Sequence, residues 1–179
     1  MRLVEGVATI DDLDAFLGEL TTIGEETGCT VQAFDARYVV DRTHLERALE
    51  FADRAIDRGE NVARDRGVEV MLYAAGRRQI DRALTLGVSE GECSVVVLVA
   101  AEEDGEAGGD ETEGNEDTSD EAAAASAVRD LLTPSDTLGD YDEALVREYF
   151  DVTETELAAT AGTLADVIHE RVALLDVRK

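Results

Sequence analysis

Lysine is almost missing from this chain. Of its 179 residues only Lys179 is a lysine, beside 15 arginines and 42 acids, for a net charge of -26. Alanine, glycine, threonine and valine are plentiful. A cytoplasm of very high salt favours this composition, because acidic side chains hold hydration and keep the protein in solution. The chain is therefore read as halophilic. A basic partner for the acidic surface is the competing explanation, and the spread of the charge over most of the chain speaks against it.

Cysteine and histidine are scarce too. Cys29 and Cys93 stand apart with no C-x-x-C pair, so they read as buried free thiols and not as a disulfide framework. His44 and His169 have no ligand spacing between them, so no metal is assigned. The longest apolar run is Val95–Ala101, far short of the roughly 18 residues that a spanning helix needs. Glu5 sits where a secretory peptide would be apolar, so a cytoplasmic protein with no membrane association is expected. There is no P-loop, no G-x-S-x-G, no H-E-x-x-H and no cysteine–histidine arrangement. With carboxylates everywhere, no acidic pair is informative. The chain reads as non-enzymatic, with no catalytic residues and no cofactor.

Against these absences stands one concentration. Ten of the arginines, at 37, 42, 47, 54, 58, 64, 66, 77, 78 and 82, fall between Arg37 and Arg82. Ten arginines against nine acids leave that window at +1, so the other 133 residues carry -27. At about 1 M salt the Debye length is about 3 Å, so diffuse attraction to phosphate is weak. Binding must then work by contact, through arginine forks, stacking and hydrogen bonds. GC-rich codon usage would also favour arginine over lysine.

The periodicities predict one compact α/β domain of the α+β type over residues 1–179. A small mixed sheet of three to four strands packs with seven or eight helices. Residues 2–8 read as a strand, and Thr9-x-x-Asp12 as a capping box that opens a helix closed by Gly28. Residues 31–36 read as a second strand. Thr43-x-x-Glu46 reads as a second capping box, before a helix with Leu45, Ala48, Leu49, Ala52 and Ile56 on its inner face. Gly67–Ala75 is apolar on most sides and reads as a buried helix, broken at Gly76. Arg77–Leu86 follows as a helix with Ile80, Ala83 and Leu84 inward. Cys93–Ala100 is nearly all apolar and should be the central strand. In residues 102–121, 11 of 20 residues are acidic, four are glycine and none is basic. That tract reads as a disordered, solvated insertion. Thr153-x-x-Glu156 is a third capping box. The final helix carries Leu164, Ile168, Val172 and Leu175 on one face.

A local conflict marks Gly76-Arg77-Arg78-Gln79-Ile80. A helix starting after Gly76 would put two cations at its N-terminus, against the dipole. Free helix N–H groups with two guanidinium forks would suit a phosphate or nucleotide, and Tyr73 would be placed to stack on a base. Pairing of these arginines with acids elsewhere in the fold, and Tyr73 as a core aromatic, are the plainer readings, and both remain open at this stage.

Three stretches carry a family resemblance: Phe34–Leu49 (FDARYVVDRTHLERAL), Arg58–Leu84 (RGENVARDRGVEVMLYAAGRRQIDRAL) and Glu170–Val177 (ERVALLDV). They resemble the small kinase-binding regulatory subunit of the KEOPS complex, and the block GENxxxDxGVExxxYxxGxRQI is its most specific part. The acidic tract departs from the family. The resemblance implies a halophilic archaeal, non-catalytic subunit of the complex that makes threonylcarbamoyladenosine on transfer RNA. It implies binding to the atypical small kinase/ATPase subunit, indirect contact with the rest of KEOPS, and recruitment of transfer RNA through its single-stranded 3′ CCA end. RNA contact is expected at Tyr73, Gly76, Arg77, Arg78 and Gln79, and kinase contact along the terminal helix at Ile168, Val172 and Leu175. A structural adaptor without RNA binding and a small nucleotide- or anion-binding domain are the alternatives.

Overall fold

The computed structural model of the chain describes residues 1–102 and 116–177. Four strands form one sheet in the order β2-β3-β1-β4. They are β1 (Arg2–Ile10), β2 (Cys29–Asp35), β3 (Gly91–Ala101) and β4 (Thr133–Pro134). The helices are α1 (Leu13–Thr27), α2 (Arg42–Asp57), α3 (Arg66–Ala74), α4 (Ile80–Ala83), α5 (Glu116–Asp130), α6 (Glu143–Tyr149), α7 (Glu154–Ala159) and α8 (Leu164–Val177). The α+β class and the helix number are as expected. The pairings are antiparallel throughout, where a mixed sheet was expected.

The apolar run of β3 places it between β2 and β1, buried on both faces. Its side chains alternate between two cores. Val96, Leu98 and Ala100 face α2, α3 and α8 with Phe34, Leu45, Leu72 and Ile168. Val95, Val97 and Val99 face α1 and α5 with Phe16, Leu20, Ala124 and Val128. Each such valine or leucine contributes roughly 1.5–3 kcal/mol by leaving water. The sheet thus separates a thin α1/α5 layer from a thicker α2/α3/α8 layer.

Several ends differ from the sequence reading. β1 runs on to Ile10, because β3 pairs with it as far as Gly91. Asp12, not Thr9, then caps α1 by accepting the Ala15 N–H. Asp41 replaces Thr43 as the cap of α2, accepting the His44 N–H. The box at Thr153 forms as read, with its hydroxyl accepting the Glu156 N–H. Of the acidic tract, residues 103–115 lie outside the described residues, while 116–121 open α5, contrary to the disorder expected there. Cys29 and Cys93 are free and buried, and burial pushes both thiols up. Among the described residues no helix is long and apolar enough to cross a membrane. None of them forms a group of three or more histidines, cysteines and acids able to hold a metal.

Candidate nucleic-acid and partner surfaces

The block Gly59–Ile80 is first of all a piece of architecture. Glu69 is buried and accepts the N–H groups of Val62 and Ala63 at 3.0 and 2.8 Å, which folds the loop after α2 back onto α3. The Asn61 amide donates to the Ala63 carbonyl within the same loop. Asp65 caps α3 by accepting the Val68 N–H. Arg66 forks onto both carboxylate oxygens of Asp53 and donates to the Ala101 carbonyl, tying α3 to α2 and to the end of β3. These contacts fix where α3 ends, and therefore where the arginines after it stand.

At that end Gly76 takes φ +58, the left-handed conformation that suits glycine. The Arg77 N–H donates to the Leu72 carbonyl and the Gly76 N–H to the Tyr73 carbonyl, the paired closure of a helix C-terminus. Helix α4 starts three residues later, with Gln79 as its cap. The premise of two cations at a helix N-terminus is therefore corrected. Arg77 and Arg78 follow the C-terminus of α3, where the dipole favours them by about 0.3–1 kcal/mol each. No N-terminal anion site is built around them.

Arg77 is engaged on several sides. Its guanidinium donates to the Tyr149 carbonyl at 2.7 Å and to Asp151 at 2.9 Å, and lies 5.6 Å above the Tyr149 ring. Asp81, its nearest acid in sequence, is not the partner it pairs with. Arg78 donates to the Leu175 carbonyl at 3.2 Å, and its buried Nε has no hydrogen-bond partner among the described residues. The Tyr149 hydroxyl donates to the Arg82 carbonyl, and burial pushes its pKa up to about 12, so it stays a donor. One short turn is thus held by α6 on one side and by α8 on the other.

Tyr73 is 3 % exposed, with its ring stacked on Phe51 at 6.0 Å, so it offers no open face for a base. The inward assignment of Ile80 and Leu84 is corrected as well: they are 41 % and 55 % exposed. With Gln79 and Arg82, also exposed, they form a small apolar and cationic surface around α4. Helical spacing missed these two residues because α4 has only four residues, too few for a face to be read from it. Of the ten clustered arginines, Arg37, Arg42, Arg54, Arg66 and Arg77 pair with acids. Arg58, Arg64 and Arg82 are exposed and make no ion pair among the described residues.

The expected kinase-contact face is also corrected. Ile168, Val172 and Leu175 are 0 %, 0 % and 8 % exposed and pack in the core against α2 and α3. Besides Leu17, Ile80 and Leu84, three exposed apolar residues lie at one end of the α2/α8 pair. Ile56 ends α2, Val62 is in the loop beyond it, and Val177 ends α8, at 36 %, 47 % and 76 % exposure. Arg54 reaches Asp176 at 3.8 Å, which brings the two helix ends together, and Val62 lines a shallow pocket with Leu175.

No curated protein matches the chain closely enough to count as a relative. A family model does match it, over residues 10–176, and the chain belongs to that family, described as kinase binding protein CGI-121.

Proposed function

We propose that this chain is the non-catalytic regulatory subunit of a KEOPS complex, binding its atypical kinase/ATPase subunit and recruiting transfer RNA by the 3′ CCA end. Membership of a kinase-binding family supports the first half. The surface around α4 supports the second: exposed Ile80 and Leu84 offer apolar area for unstacked bases, and Arg78, Gln79 and Arg82 supply forks and an amide beside it. Such contacts act at short range, as a site working in molar salt requires. The arginine-rich, lysine-poor and acidic composition supports the cytoplasm of a halophilic archaeon as its setting. For the kinase, the exposed end formed by Ile56, Val62 and Val177 is the docking surface of this reading.

The structural adaptor is the second reading, and the pairing of Arg77 with Asp151 favours it. A titration in high-salt buffer separates the two, using intact and CCA-trimmed transfer RNA. In the RNA reading, Arg78→Ala combined with Leu84→Ser weakens intact RNA at least about tenfold, because each contact group contributes on the order of 1–3 kcal/mol. Arg129→Ala, on α5 across the sheet, leaves binding unchanged. Trimming the CCA has the effect of the double variant, and combining the two adds almost nothing. Equal binding of both RNAs, or parent-like binding by the double variant, leaves the adaptor.

A further inference from the structure

Strand β2 closes one side of the sheet, and its outer edge has no strand beside it among the described residues. Helices α1 and α3 stand on either side of that edge and make it the floor of a groove. Leu17, Val31, Val68, Met71 and Leu84 line the groove.

The pairing shows which backbone groups face it. Cys29 and Ala101 are opposite one another on β2 and β3, yet the Ala101 N–H donates to Glu121 and not to β2. They are therefore a non-hydrogen-bonded pair, and in an antiparallel ladder so are Val31–Val99 and Ala33–Val97. The N–H and C=O of Val31 and Ala33 point away from β3, into the groove. The Ala33 carbonyl takes the Gln32 side-chain amide, and both backbone groups of Val31 are left for another strand. Edges of this kind are usually guarded by charge or proline. Between Cys29 and Phe34 this one has neither.

Three carboxylates, Glu25, Asp65 and Glu102, also line the groove, and among the described residues no arginine or lysine does. That lining repels a phosphate backbone. A second copy pairing through the same edge would bring its own Glu25, Asp65 and Glu102 into contact with these carboxylates. We propose that the free edge of β2 takes up an extended peptide strand from a partner protein, with apolar side chains at alternate positions and arginine or lysine at its ends. Main-chain hydrogen bonds to Val31 hold the strand in register. Its alternate side chains enter the groove beneath α1 and α3, and its terminal cations meet the carboxylates. This groove shares Leu84 with the α4 surface proposed for RNA, and it shares none of Ile56, Val62 and Val177 with the surface proposed for the kinase.

The test uses the full chain and a synthetic peptide as long as β2, 7 residues, alternating valine and threonine with arginine at both ends. Two further peptides carry glutamate ends or a central proline. Val31→Pro removes the free N–H at an edge position, where proline is tolerated. Leu17→Arg places a cation at an exposed wall of the groove, where it repels the peptide's terminal arginines and pairs with the carboxylates they would use. The arginine peptide should bind and slow exchange of the Val31 amide. Either variant, or the proline peptide, should weaken binding at least about tenfold, a readily measured change in Kd. Leu17→Arg alone decides if Val31→Pro does not fold. The proposal is overturned by any of three results: no binding of the arginine peptide, equal binding of the glutamate peptide, or dimerisation through this edge.

Discussion

His44 makes the end of α3 sensitive to acid, in a way that can be worked through. It is 0 % exposed, on the first turns of α2, with its ring edge-on to Phe150 at 6.0 Å. Nε2 lies 2.8 Å from the Ala74 carbonyl, so that nitrogen carries the proton and donates it. Nδ1 is buried with no hydrogen-bond partner among the described residues. Protonating Nδ1 would bury an uncompensated cation, and burial pushes the pKa down to about 4, against the opposing pull of the Ala74 carbonyl and Asp41. In the unfolded chain an ordinary histidine titrates near about 6.5. The folded pKa is the lower of the two. Above about pH 6.5 neither state binds the proton and stability is unaffected. As pH falls from there towards about 4 the unfolded state alone is protonated, and stability drops by on the order of 3 kcal/mol from this residue.

His44→Leu removes that term and leaves the Ala74 carbonyl without its donor. At pH 7.5 the variant should be about 1–3 kcal/mol less stable than the parent. By pH 4 the gap should have closed or reversed. Urea unfolding of both proteins at fixed high salt, followed by circular dichroism across this range, measures the difference directly. The carboxylates shared by both proteins cancel in that difference. A gap that stays constant from pH 7.5 to pH 4 would refute the assignment of a neutral, Nε2-protonated His44.

Two other substitutions separate core from contact surface. Val172→Asp buries an unpaired carboxylate and should destabilise the domain by at least about 3 kcal/mol in denaturant melts. Ile56→Asp with Val62→Asp changes exposed positions, so it should melt like the parent yet lose capture of the kinase. Retained capture would place the docking face elsewhere. Deleting residues 103–115 and joining the ends with a short flexible turn should leave cooperative unfolding at high salt intact; a broadened or lost transition would show that the tract contributes to the fold.

Much of this fold could be read locally. The two-sided apolar run of β3, the inward stripe of α8, and the stops at Gly28 and Gly76 follow from residues within a turn or two of each other. The cap at Thr153 belongs with them. The capping boxes at Thr9 and Thr43 failed for a non-local reason at one end and a competing residue at the other. Pairing with β3 kept Thr9 in a strand, and Asp41 capped α2 two residues before Thr43 by accepting the His44 N–H. The candidate site was partly legible. The Gly76–Gln79 turn was found and Gly76 does stop α3, but the next helix was read as starting at Arg77, whereas it starts at Ile80. Tyr73 was misjudged because a helix buried on nearly every side gives no period from which to choose an exposed face. The partners of Arg77 and Arg78 lie some 70 to 100 positions away, and no spacing rule reaches that far.

Arg78 bridges two surfaces that have been described separately. Its chain position puts it beside the exposed residues of α4, and its side chain holds the last turn of α8 through Leu175 while lining the pocket that includes Val62. A ligand that immobilises this guanidinium from either side changes the ordering cost that remains for the other. If both partners bind as proposed, thermodynamic reciprocity applies: by whatever factor the kinase alters the affinity for RNA, RNA alters the affinity for the kinase by the same factor. Loading of one partner would in this way report on loading of the other through a single side chain.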